Sequence, residues 1–266
     1  MSQNEIGQPA EGASSNLEAL VQQAGFIFSG TVTALGETNM AGVPLGEETA
    51  VVRVKSVVRG PALLKVYVGK DITVQVLDPH QLSVGQDLVF FANSWIYGQS
   101  IALREVGHWA ITEDLTHLRQ QIVEVEQQLA DQKLQRFLAD AALVISGRVA
   151  QIAKLARPEG TPKREHDPEW TEAVIVVEHV LSRRQGSSEG GKSEVVLFAA
   201  SRDIAWRRAP KLYEGQTGVW ILHKVKVKEL DREEYVVLHS LASWPREQLD
   251  RIKGLIDVDL SEPRDA

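Results

Sequence analysis

The sequence predicts an all-β protein with peripheral helices: two tandem OB-type Greek-key barrels joined by an α-helical connection. Three observations predict it. First, the chain repeats itself, since LVQQAGFIFSGTV (20–32) returns 117 positions later as FLADAALVISGRV (137–149). Both blocks place an alanine (Ala24, Ala141) ahead of three large apolar residues and then Ser-Gly-x-Val. Second, each copy holds about five β-branched segments of period two, the pattern of half-buried strands. Third, residues of helical period flank each strand set. Roughly 110 residues of that content close into a small barrel, which abolishes exposed sheet edges. A period of 117 residues is too long for a solenoid unit and reads as duplication of a whole domain.

Taken in order, residues 1–15 are polar and rich in Gly, Ser and Gln, and are expected to be disordered. NLEALVQQA (16–24) predicts a short amphipathic helix with Asn16 as N-cap. Strands are expected at 26–35, 49–58, 65–69, 71–77, 87–95 and 101–106, with a Gly-rich loop at 36–48. From Thr112 to residue 139, Leu115, Leu118, Ile122, Val125, Leu129, Leu134 and Leu138 fall at helical spacing. One long helix, or two in succession, therefore closes the first copy (16–135) and feeds the second (136–257). In the second copy strands are expected at 143–156, 171–182, 193–199, 217–226 and 234–241. A final helix at 245–257 takes Pro245 in its first turn, and 258–266 form a tail.

The blocks correspond throughout: AVVRVKSVVRG (50–60) with AVIVVEHVLSR (173–183), and DITVQV (71–76) with SEVVLF (193–198). Leu-x-x-Gly-Gln recurs at 82–86 and 212–216, and Trp109 matches Trp244. Alternation assigns Phe26, Phe28, Val52, Val54, Leu88 and Phe90 to the first core. Leu143, Ile145, Ile175, Val177, Val219 and Ile221 are assigned to the second.

Composition narrows the function classes. The 266 residues are 43% hydrophobic and 24% charged and contain no cysteine, which removes disulfides and thiolate chemistry. That absence, with no basic-then-apolar layout in the first fifteen residues, points to a cytoplasmic protein. No apolar run approaches the roughly 20 residues that span a bilayer, so no membrane partner is expected. Net charge is −7 but uneven: residues 1–135 hold 8 basic and 15 acidic side chains, while 183–228 hold ten basic and four acidic. The whole-chain charge disfavours a generic nucleic-acid binder, and the local stripe keeps that class open.

The ordered pattern of Ala, three apolar residues, Ser-Gly-x-Val, loop, long strand ending near Gly, Leu-x-x-Gly-Gln, apolar strand, Trp and helix resembles the netrin-like domains related to tissue inhibitors of metalloproteinases. The resemblance runs through both copies and implies OB-type barrels that work as binding domains. Those inhibitors chelate their target's zinc through an N-terminal cysteine. This chain has no cysteine, so their mechanism does not carry over.

Catalytic motifs are weak. GSSEGGKS (186–193) matches phosphate-loop spacing, but EVVLFAA follows it, a strand pattern where the chemistry requires a helix. The seven histidines are scattered without metal-ligand spacing. No cofactor, metal or enzymatic activity is expected. The residues that stand out are Trp206, Arg207, Arg208 and Lys211, in a segment longer than its counterpart DPHQ (78–81). Arg183, Arg184, Arg164 and His166 join them as basic residues near strand ends and in the long loop 156–170. Such a set suits a protein partner, of the kind a neighbouring gene encodes, with Arg207 and Arg208 pairing carboxylates beside a Trp206 anchor. The alternative is single-stranded nucleic acid, stacked on aromatics in a groove extended by Lys192, Lys224, Lys226 and Lys228. That stripe also reads as the solvent face of a strand.

Overall fold

The computed structural model describes residues 11–98, 100–111, 115–156, 165–184 and 191–261. The chain divides into two compact units, Met1–Leu129 and Ala130–Ala266. In the first, helix α1 (Glu11–Gln23) precedes strands β1 (Phe26–Leu35), β2 (Thr49–Arg59), β3 (Asp71–Gln75), β4 (Asp87–Tyr97) and β5 (Ile101–Ala110). They close into a barrel of order β1-β2-β3-β5-β4. The β3–β5 pair is parallel, and the other pairings are antiparallel. Helix α2 (Leu115–Ala139) runs through the boundary between the units.

The second unit holds β6 (Leu143–Lys154), β7 (Trp170–Arg183), β8 (Ser193–Ala199), β9 (Thr217–Val227), β10 (Arg232–Val237), the short β11 (Ser243–Pro245) and α3 (Leu249–Ser261). Its ring runs β6-β7-β8-β10-β9 and returns to β6, again with one parallel pair, β8–β10. Both units are therefore OB-like barrels of one topology.

The duplication reaches the backbone. In β1–β2 the register slips between Ile27 and Phe28, between Ser29 and Gly30, and between Val32 and Ala34. In β6–β7 it slips at Val144/Ile145, Ser146/Gly147 and Val149/Gln151, each 117 positions on. The bulges explain the glycines. A Cβ on Gly147 would lie 2.1 Å from the Val176 carbonyl oxygen, and one on Gly30 would lie 2.5 Å from Val52 Cγ1. The Leu-x-x-Gly-Gln motifs make matching turns. Gly85 (φ 87°) donates to Val32 O, and Gly215 (φ 84°) donates to Val149 O. The side-chain oxygens of Gln86 and Gln216 accept from the backbone N–H of Ser83 and Tyr213.

Barrel interiors are mostly apolar. Phe26, Phe28, Val52, Val54, Leu88 and Phe90 lie in the first, as alternation predicts. In the second, Leu143, Ile145 and Ile175 are interior and Val177 is half-buried against them. Strand β9 departs from expectation by one residue. Trp220 and Leu222 point inward, whereas Val219 and Ile221 are buried on the outside against Leu134, Ile252 and Ile256. Because helices cover that outer face, both faces of the strand are apolar and alternation gives no phase.

Several element ends also differ. Residues 62–67 form a 3-10 turn after Pro61, with Leu64 anchored in the core and Val66 left exposed, where a strand was expected at 65–69. Helix α1 begins at Glu11, so Asn16 sits within it rather than capping it. The strand expected at 234–241 stops at Val237 and gives way to a 3-10 turn, Ser240–Ala242, with His239 accepting from Leu241 N. Strand β11 then restores the repeat, since Trp244 pairs with Val219 as Trp109 pairs with Val89. Pro245 ends β11, and α3 starts only at Leu249.

Candidate functional site

The β8–β9 connection holds 17 residues against 11 in the β3–β4 connection, and the difference falls on the Trp206 segment. Asp203 starts a 3-10 turn, Ile204–Trp206, by accepting from Ala205 N at 2.8 Å. His166 Nδ1 lies 3.0 Å from the same carboxylate oxygen. The Ala205 N–H, and after it the His166 contact, holds the Asp203 carboxyl below the usual carboxylate range. Trp206 Nε1 donates to the His166 carbonyl at 2.9 Å, and its ring tilts against Trp170 at 6.3 Å between centroids. Ser201 N donates to Pro168 O at 3.0 Å. Two segments that distinguish the second copy from the first, the end of its 156–170 loop and its long β8–β9 connection, are thus pinned together.

Lys211, exposed at its surface, braces the β8–β9 connection against itself. Its ammonium donates to the carbonyls of Ala199, Ser201 (2.8 Å) and Trp206 (3.2 Å). Burial pushes the Lys211 pKa below the ordinary lysine value. Lys211 therefore organises the segment and is not one of its free charges. Arg207 and Arg208 are exposed and make no hydrogen bond or ion pair among the described residues. Ile204 is 72% exposed and Tyr213 65%. Ile204 and the Trp206 ring thus form a small apolar platform next in sequence to two guanidinium groups unengaged among the described residues.

Arg164 is outside the described residues. Arg183 and Arg184 stand at the end of β7 remote from Trp170, so the structure does not gather them with Trp206. Two lysines of the basic stripe are already engaged on β9. Lys226 pairs with Asp231 at 2.9 Å, and Lys224 sits 5.4 Å over the Tyr235 ring. Outside the stripe, Arg232 meets Glu234 and Glu172, and Arg246 meets Glu178 at 2.8 Å. Of GSSEGGKS, residues 186–190 lie outside the described residues, and Ser193 opens strand β8 rather than a helix. Among the described residues no helix is long and apolar enough to cross a membrane, and no group of three or more His, Asp and Glu could hold a metal ion.

One polar pair escaped sequence reasoning. Glu105, 3% exposed inside the first barrel, holds His108 Nδ1 at 2.6 Å and accepts from Leu77 N at 2.9 Å. The hydrogen bond to Glu105 raises the His108 pKa above the ordinary imidazole value. The signal was present, because Glu105 falls two residues after Leu103, in phase with the inward side of β5.

No family model matches the chain, and no curated protein matches it. Among solved structures it is similar to the wild-type single-stranded DNA binding protein from Thermus aquaticus. Identity is 11%, coverage is 80% of this chain and 89% of that one, and the TM-score is 0.18. That likeness is too slight to bear on what this chain binds.

Proposed function

We propose that the chain is a non-catalytic protein-interaction module, adaptor-like or inhibitor-like, that meets its partner through the Trp206 platform of the second barrel. One observation carries the reading: the segments that differ between the copies converge on each other and leave Ile204, Arg207 and Arg208 outward and unengaged. What the copies share is scaffold, and binding residues concentrate on loops held by a rigid scaffold. A half-buried tryptophan flanked by arginines is the composition of an interface anchor. The resemblance to netrin-like binding domains belongs to this reading, as does a partner encoded by a neighbouring gene. Single-stranded nucleic acid is the competing ligand. The engagement of Lys226 with Asp231 and of Lys224 with the Tyr235 ring counts against it, since paired cations have less to gain from phosphate.

The test is affinity capture from a lysate of the source cell, with the intact protein and its Arg207→Glu/Arg208→Glu variant as baits. A specific protein retained by the first and lost from the second supports the reading. Equal retention by both removes the platform. Salt-sensitive binding of oligothymidylate, with no protein captured, replaces the reading with the nucleic-acid one.

A further inference from the structure

The two barrels treat the same outer face differently. In the first, the β1–β2 loop lies over β3 and β5. Thr73 is fully buried there; its hydroxyl lies 3.0 Å from that of Thr38, accepts from Asn39 N and donates to Asn39 Oδ1. Met40 and Val43 of the loop pack on Ala102, with Trp95 and Ile96 beside them. Thr73 is flanked in the sheet by Val51 and Ala102, and Ala102 by Ile96.

In the second barrel Val195 takes the place of Thr73, paired with Val174, and Val225 takes that of Ile96, paired with Glu234. Val195 is 45% exposed where Thr73 is 0%. Val176 and Val225 are exposed as well. The loop that would have to cover this face, between Ala156 and Trp170, contains no Val, Leu, Ile, Met or Phe in its sequence. It has nothing to set where Met40 and Val43 sit. Val176, Val195 and Val225 form an exposed β-branched patch on β7, β8 and β9 at the position where the first unit fills its own.

We propose that this face of the second barrel binds an extended segment of a partner protein that carries aliphatic side chains flanked by carboxylates. The inference rests on the protein-interaction reading and names the chemistry of the partner. Charge complementarity sets that chemistry. Arg148, directly opposite Val176 in the sheet, is exposed and unpaired among the described residues. Past the start of β7, beyond Trp170 and Trp206, stand Arg207 and Arg208, also unpaired among the described residues. The carboxylates on the face, Glu172 and Glu234, are both held by Arg232. What remains unsatisfied is apolar, with one unpaired arginine beside Val176 and two beyond Trp170. The first unit's own covering loop, TNMAGVPLGEE (38–48), has half of the complementary pattern, with Met40, Val43 and Leu45 followed by Glu47 and Glu48.

The probe is a fluorescein-labelled peptide of sequence DETNMAGVPLGEE, titrated against the full chain by fluorescence polarisation, with Lys replacing Asp and Glu in a control peptide. The acidic peptide should bind saturably below about 1 mM, and the lysine version about tenfold more weakly. Val176→Glu/Val195→Glu should weaken the acidic peptide by about tenfold or more. If that variant unfolds, Val176→Thr/Val195→Thr serves and should still weaken binding measurably. No saturable binding, equal binding of both peptides, or binding untouched by either variant overturns the proposal. So does a dimer of the intact chain that Val195→Glu converts to monomer by sedimentation, because the occupant is then a second copy. Failure of the broader reading looks different. A captured partner lost with Arg207→Glu/Arg208→Glu but kept by the valine variants leaves the platform standing and sinks only this face; a partner indifferent to all of them sinks both.

Discussion

Lys211→Met isolates what the ammonium bonded to the Trp206 segment does. Methionine keeps most of the apolar stem and removes the charge, so packing changes little and three carbonyls lose their donor. Hydrogen bonds to charged groups contribute about 1.5–3 kcal/mol each, and unpaired buried acceptors cost about 1–3 kcal/mol. Only Ala199 O and Ser201 O are engaged in part-buried bonds; the Trp206 bond is exposed and water replaces it. Offsetting this is the cost of desolvating the ammonium, visible as its lowered pKa. About 2 kcal/mol of destabilisation of the second unit follows, or about 4–8 °C in Tm. Thermal melts followed by near-UV circular dichroism, with hydrogen exchange along 199–211, measure both the size and the place. The expected result is a lower Tm and faster exchange confined to that segment. A Tm within about 1 °C of the parent with unchanged exchange would refute the reasoning and return Lys211 to the surface as a free cation.

Other outcomes follow from the same geometry. Gly147→Ala forces a Cβ to within 2.1 Å of the Val176 oxygen, a backbone atom that cannot yield without losing sheet pairing, so it should cost about 3 kcal/mol in denaturant titration. Gly254→Ala, in α3 with no atom within 4 Å of the added Cβ, should instead stabilise by about 0.5–1 kcal/mol; the opposite order of the two would contradict the bulge account. For His108, the folded-state pKa is raised by Glu105, so its stabilisation is complete below the unfolded value near 6.5 and is lost as pH rises through the folded value. The stability gap between the parent and His108→Gln should therefore be larger at about pH 6 than at about pH 9, and a gap that widens with pH overturns the assignment.

The duplication was legible because it is written in residues with steric reasons to persist. The Ser-Gly-x-Val blocks encode bulges where a Cβ does not fit, and Leu-x-x-Gly-Gln encodes a positive-φ turn closed by a glutamine. Strand β9 was misphased because barrel interior and helix-covered exterior are equally apolar around Val219–Leu222. KVYVG (65–69) reads as a strand by composition, yet Val66 is exposed and the chain turns tightly instead. At the site, Trp206, Arg207 and Arg208 stood out by type, and His166 by its loop. The meeting of Trp206 with His166 across 40 residues, and the contact of Lys211 with three carbonyls, depend on tertiary contacts that no local pattern records. The open valine face was invisible for a further reason: it shows only by comparison with the loop that covers its counterpart.

The most direct test of the binding account is a hydrogen-exchange footprint of the intact chain with and without its captured partner. The account predicts slowed exchange along 165–170 and 200–211 on binding, with β1–β5 unchanged. Protection confined to the first barrel, or no protection in 200–211, would contradict it.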